Sequence, residues 1–239
     1  MKSKDKTIGN ALDFVQARFG KFDFANLLPH LKSFSGKELN AIVAQECGEE
    51  LVKIYPTSKI LILGNSPASR EPFFRKRAWE QLQEASHFLP LGLAFGLVEV
   101  FRSKERQLKL REGRFDLLRV KRPELVDGEI WKIVNTFIAG PGGPHQTGAA
   151  VDICLVDLNT RKPLDMGSPS HGIDRRSYTA SNMVSLEAQV HRYILATIMT
   201  YFGFRNYPAE WWHYEYGTKR HSKYLRFEEC MYDVVDLAA

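Results

Sequence analysis

Residues 141–158 constrain the fold of this chain more than any other stretch. A Pro141-Gly142-Gly143-Pro144 breaker gives way within a few residues to Ala149–Leu158 (AAVDICLVDL), an apolar run of strand length. The loop carries His145 and the strand carries Asp152. A histidine in a Gly/Pro loop can swing its imidazole toward a ligand, and Asp152 leaves the strand on the same face as Ala150 and Cys154. Gly148 lets the backbone turn sharply between the two, and the small Ala150 leaves room beside the carboxylate.

Around this segment, helical and strand-like patterns mix without a regular βαβ alternation, which points to an α+β fold. Residues 1–56 read as a mainly helical N-terminal extension packed on the core, ending at the Tyr55-Pro56 break, and 57–239 as the main domain. Lys59–Leu63 is a short apolar strand followed by a Gly-Asn-Ser-Pro turn. Glu71–His87 has the spacing of an amphipathic helix, with Phe74, Ala78, Leu82 and Ala85 on one face. Gly92–Phe101 is strand-like and delivers Arg102 at its end. Lys104–Leu118 and Glu129–Ile138 are helical, Asn182–Tyr201 is a long helix, and the aromatic-rich 210–216 has strand composition.

Composition excludes several classes. The 239 residues suffice for one full core, and no apolar run approaches the roughly 18 residues that span a bilayer. The net charge of +5 is carried entirely by residues 102–124, with nine basic and four acidic side chains. That segment holds a single aromatic, Phe115, and so lacks a stacking platform; it reads as a solvated helix face and not as a nucleic-acid surface. Three cysteines without a CxxC pair suit a reducing compartment, and no apolar stretch of signal-peptide length follows the basic N-terminus, so cytoplasmic residence is expected. The sequence does not fix the oligomeric state.

The familiar phosphate and nucleophile signatures GxxxxGK[ST], GxGxxG and GxSxG are missing, and so is HExxH. What remains is a set of histidines and carboxylates. Beside His145 and Asp152 stands Glu210-Trp211-Trp212-His213, which offers a second imidazole and a second carboxylate. Two histidines and an aspartate make three protein ligands, the number that catalytic zinc sites keep while leaving one position open. Geometry sets a condition: residues three apart on a regular strand face opposite sides, so a bulge or bend near the start of 210–216 is required if Glu210 and His213 are to meet.

The pair H-x-x-G-x-A-x-D (His145 to Asp152) and E-W-W-H-Y (Glu210 to Tyr214) resembles the zinc D-alanyl-D-alanine metallopeptidases, most closely the D-Ala-D-Ala dipeptidases. Asp165-Met166-Gly167 is similar to that branch's D-M-G segment, and Val98–Arg102 to its arginine-bearing strand. The likeness covers roughly residues 60–220. It implies a single zinc-peptidase domain with a central, mostly antiparallel sheet flanked by helices, as in hedgehog and D,D-peptidase domains. One Zn²⁺ per chain is implied on His145, Asp152 and His213, with Glu210 as catalytic base and Arg102 steadying the transition state. A small dipeptide is the implied substrate, with Asp174, Tyr214 and His171 as candidates for holding it. The chain departs from the family at Gly143, where a serine is usual, at Ser170-His171, where an aromatic-acid pair is usual, and at Phe101-Arg102-Ser103, where Tyr-Arg-Pro is common. Two other readings remain open: a D,D-carboxypeptidase acting on peptidoglycan stem peptides, and a non-catalytic zinc-containing binding domain.

Overall fold

The computed structural model describes residues 4–21, 28–64, 70–172 and 174–236. In chain order the elements begin with α1 (Lys4–Phe19), α2 (Gly36–Asn40), β1 (Val43–Ala44), β2 (Leu51–Lys53), β3 (Ile60–Ile62) and β4 (Phe73–Arg75). They continue with α3 (Lys76–His87), β5 (Leu93–Glu99), α4 (Lys104–Lys121), α5 (Asp127–Phe137), β6 (Ala150–Asp157) and β7 (Lys162–Pro163). The last are α6 (Leu186–Tyr201), β8 (Arg205–Asn206), β9 (His213–Glu215), α7 (Lys219–Leu225) and β10 (Glu229–Cys230).

The main sheet runs β3-β5-β6-β9-β8, with β7 also paired to β6. Only β3 and β5 are parallel; the other pairings are antiparallel. The α+β architecture with a mostly antiparallel sheet is as expected. β6 is the central strand and is buried along almost its whole length. Its core face, carrying Val151, Ile153 and Leu155, packs in one apolar cluster with Ile194, Leu195 and Ile198 of α6. The same cluster includes Phe95 and Leu97 of β5 together with Trp211, Trp212 and Tyr214. Its other face carries Asp152.

Three segments differ from the sequence expectation. Residues 1–56 are helical only in part: β1 pairs in parallel with β10 near the C-terminus, and β2 pairs antiparallel with β4. The helix expected from Glu71 starts at Lys76, because Phe73–Arg75 are taken up by that pairing with β2. The strand expected over 210–216 shortens to His213–Glu215, since two tight turns precede it. The Gly-Asn-Ser-Pro turn lies largely outside the described residues. Among the described residues no helix is long and apolar enough to cross a membrane.

Candidate metal centre

Cross-strand register assembles the site. Asp152 of β6 lies directly opposite His213 of β9, and Ala150 opposite Glu215, so Asp152, His213 and Glu215 share the face turned away from the core. On the other side of β6, the β5 pairing shifts by one residue between Leu97 and Glu99. That irregularity places Glu99, and not Val98, beside Asp152.

His145 reaches the same point from a 3₁₀ turn, Pro144–Thr147, that Gly148 closes in the left-handed region at φ +70°. Its Nδ1 donates to the Val100 carbonyl at 2.7 Å. That commits the tautomer and leaves Nε2 facing Asp152 Oδ1 at 3.3 Å. His213 Nδ1 sits 2.9 Å from the same carboxylate oxygen. One ligand atom from each of His145, Asp152 and His213 lies within 4.8 Å of the others, and all three residues are buried. Two imidazoles and one carboxylate, each with its remaining polar atom held by a neighbour, are the donor chemistry and support that zinc takes. The supports are explicit: Asp152 Oδ2 meets His171 Nε2 at 2.9 Å, and His213 Nε2 meets Glu215 Oε1 at 3.2 Å. Glu215 is fixed in turn by Thr218 and by Arg220.

Charge follows from this packing. Burial pushes the Asp152 carboxyl up, but His145, His171 and His213 outweigh it and hold it well below the usual carboxylate range. Burial would depress His213, yet Asp152 and Glu215 push it up to about 10. The excess of negative charge that raises this imidazole also favours a divalent cation.

Glu210 completes the centre. Its N–H donates to Tyr207 O at 2.9 Å and its carbonyl accepts from His213 N–H at 3.2 Å, so the chain bends between Glu210 and His213. This bend lets both residues line one cavity with His145 and Asp152. Burial pushes the Glu210 carboxyl up, with Asp152 adding to the shift against the opposing His213. Arg102 lines the same cavity and is itself buried. Its Nε donates to Glu99 at 2.8 Å, one terminal nitrogen donates to Gln107 at 2.6 Å, and the other to Glu99. Hydrogen atoms on both terminal nitrogens are left over for a ligand.

Not every expected residue arrives here. His171 does line the cavity, but its ring is turned to Asp152 and toward Glu99. Tyr214 is fully buried on the core face of β9, one residue out of phase with His213, and does not reach the cavity. Asp174 is held by Arg176 at the start of a short 3₁₀ turn and lies outside the cavity lining. Cys154 faces Gly96, its Sγ 3.6 Å from that carbonyl, and burial pushes its thiol up to about 12. Glu99, Gln107, Glu215 and Arg220 enter the site without having been singled out from the sequence. Glu99 carried the one available signal, a carboxylate inside an apolar strand three residues before Arg102.

The model of the M15 peptidases, described as D-Ala-D-Ala dipeptidase, matches residues 67–230. The chain belongs to this family. Among its curated relatives, the D-alanyl-D-alanine dipeptidase of Enterococcus faecium is 40% identical over 70 residues, covering 29% of this chain and 35% of the relative. That of Synechocystis sp. is 36% identical over 100 residues, covering 37% and 40%. That of Escherichia coli is 32% identical over 101 residues, covering 39% and 50%. The matched stretches therefore span half or less of these relatives. A solved structure described as VanYB in complex with D-alanine-D-alanine is 18% identical, with a TM-score of 0.44, covering 75% of this chain and 84% of that one. Membership of the family agrees with both motifs, which lie within the matched residues.

Proposed function

We propose that the protein is a zinc D,D-peptidase that hydrolyses the amide bond between two D-alanyl residues. The observation that carries the reading is the convergence of His145, Asp152 and His213 with Glu210 and Arg102 in one cavity. His145, Asp152 and His213 would hold a zinc ion, which would supply Lewis acidity and acidify water near neutral pH. Glu210 accepts a proton from the water that adds to the carbonyl carbon, and hands it to the amine nitrogen as the C–N bond breaks. Its raised pKa suits a group that must both take and release that proton. Arg102 turns its free N–H bonds to the carbonyl oxygen as negative charge develops there, and Glu99 keeps the guanidinium in place. Glu215 and His171 orient the ligands through His213 and Asp152. Cytoplasmic residence belongs to the same reading, on the strength of three free thiols.

The test is D-alanine release from D-Ala-D-Ala and from an N-acetylated peptide ending in the same pair, with zinc content measured alongside. Glu210→Gln is expected to lower kcat by about 10²–10⁴-fold while one zinc per chain is retained. A Glu210→Gln protein as active as the unaltered one would overturn the mechanism. Zinc bound without turnover of either substrate would leave a binding domain instead.

A further inference from the structure

Arg102 and Glu210 reach the cavity from opposite flanks of β6. Arg102 follows β5, one neighbour of that strand, and Glu210 precedes β9, the other. Tyr207 stands on the Glu210 flank, directly after β8. It is the one tyrosine among the described residues that lines the cavity.

Its ring has a fixed seat and its hydroxyl a free end. Tyr207 N–H donates to the His213 carbonyl at 3.0 Å, and its own carbonyl accepts from Glu210 N–H at 2.9 Å. The buried Asn206 amide closes the same bend, donating to the Glu210 and His213 carbonyls at 3.0 Å each. Arg220, anchored on Glu215, covers the Tyr207 ring at 4.4 Å from its centroid. The His213 ring meets it at 88°, with centroids 6.4 Å apart. The hydroxyl makes no hydrogen bond among the described residues. Burial pushes this phenol's pKa up and the Glu210 carboxylate adds to the rise, so the group stays neutral. A neutral phenol keeps lone pairs that can accept a hydrogen bond.

We propose that the Tyr207 hydroxyl is a further catalytic group, accepting a hydrogen bond from the N–H of the scissile amide while Glu210 protonates that nitrogen. This rests on the D,D-peptidase reading. With the carbonyl oxygen turned to Arg102, the nitrogen leaves the same carbon in another direction and faces the bend that carries Glu210 and Tyr207. Holding the N–H on Tyr207 turns the nitrogen lone pair toward Glu210. The proton held by Glu210 passes to nitrogen, the C–N bond breaks with its electron pair going to nitrogen, and the phenol keeps its own proton.

Tyr207→Phe removes the hydroxyl and keeps the ring. On the faster of D-Ala-D-Ala and its N-acetylated counterpart, the zinc-loaded variant is expected to lose about 10–100-fold in kcat. KM shifts by less than about twofold, and zinc content and thermal midpoint are unchanged. Two tetrahedral analogues of that substrate, a phosphonamidate and a phosphinate, differ only in carrying NH or CH2 where the scissile nitrogen stands. By calorimetry, without turnover, the unaltered protein is expected to prefer the NH analogue about tenfold, and Tyr207→Phe to bring the ratio to about one. An unchanged kcat, a loss of zinc, or an NH preference that is absent at the outset or survives Tyr207→Phe would overturn the proposal. Equal weakening of both analogues would overturn it too, placing the hydroxyl on the phosphoryl oxygens. Each of these outcomes leaves the D,D-peptidase reading standing. Failure of the unaltered protein to cleave either substrate removes that reading, and this one with it.

Discussion

Gly148 shows how much of the metal centre hangs on one backbone conformation. It sits at φ +70° and its N–H closes the turn onto the His145 carbonyl at 3.2 Å. A Cβ built there would lie 2.1 Å from Leu51 Cδ2, so both the torsion and the space demand glycine. Gly148→Ala combines a left-handed torsion costing ~1–2 kcal/mol with overpacking of ~1–3 kcal/mol. A loss of roughly 2–5 kcal/mol in urea unfolding is expected, with weaker zinc binding because His145 moves with the turn. An unchanged unfolding midpoint would show that Leu51 yields without cost. At this scale the sequence was a good guide wherever residue types recur at fixed spacing. His145, Asp152, Glu210, His213 and Arg102 meet in the cavity. Glu99 and Glu215 were not legible, because their place depends on a bulge and a cross-strand register that only the folded sheet defines. Tyr214 is the reverse case: strict alternation with His213 puts it on the core face, and that alternation was in the sequence.

Among the elements, the α4–α5 hairpin stands out because it has a core of its own. Phe115, Ile130, Val134 and Ile138 form a cluster separate from the main one, with Phe115 stacked on Trp131 at 4.7 Å. Its root is tied to the sheet side by Arg106 to Glu71 and Glu99, and its two ends are joined by Gln107 Nε2 donating to the Ala139 carbonyl at 2.6 Å. Removing the largest side chain of so small a cluster should loosen the hairpin and little else. Phe115→Ala is expected to cost about 3 kcal/mol locally. Amide hydrogen exchange would then accelerate over 104–137 while β5 and β6 keep their protection. Uniform acceleration across the sheet would mean that the hairpin is part of the main cooperative unit. The hairpin's helices were legible from periodicity, since each runs for three turns or more. β1, β2 and β4 were not. At two or three residues they carry no periodic signal, and their stability comes from partners distant in sequence, such as β10 for β1.

Across the whole molecule, the chain's distant parts are tied together behind the site. Arg75 is buried and donates to the Thr147 carbonyl at 2.8 Å, to Glu46 at 2.9 and 2.7 Å, and to the Asp233 carbonyl at 3.3 Å. One guanidinium thus joins the N-terminal segment, the His145 turn and the C-terminal segment, so the candidate metal ligands are braced from behind. The candidate ligands come from three separate stretches: a turn, the central strand and the start of β9. An ion that links them binds the folded chain and has no such site in the unfolded one, so binding free energy adds to folding stability. At a free zinc concentration about 100-fold above Kd the gain is about 2.7 kcal/mol, which for a chain of this size raises Tm by about 5–10 °C. Removing zinc with a chelator should reverse the rise, and His213→Ala should abolish it, because two ligands cannot hold the ion with comparable affinity. A Tm that zinc raises equally in the His213→Ala protein would place the bound metal elsewhere and take the metal centre out of the argument.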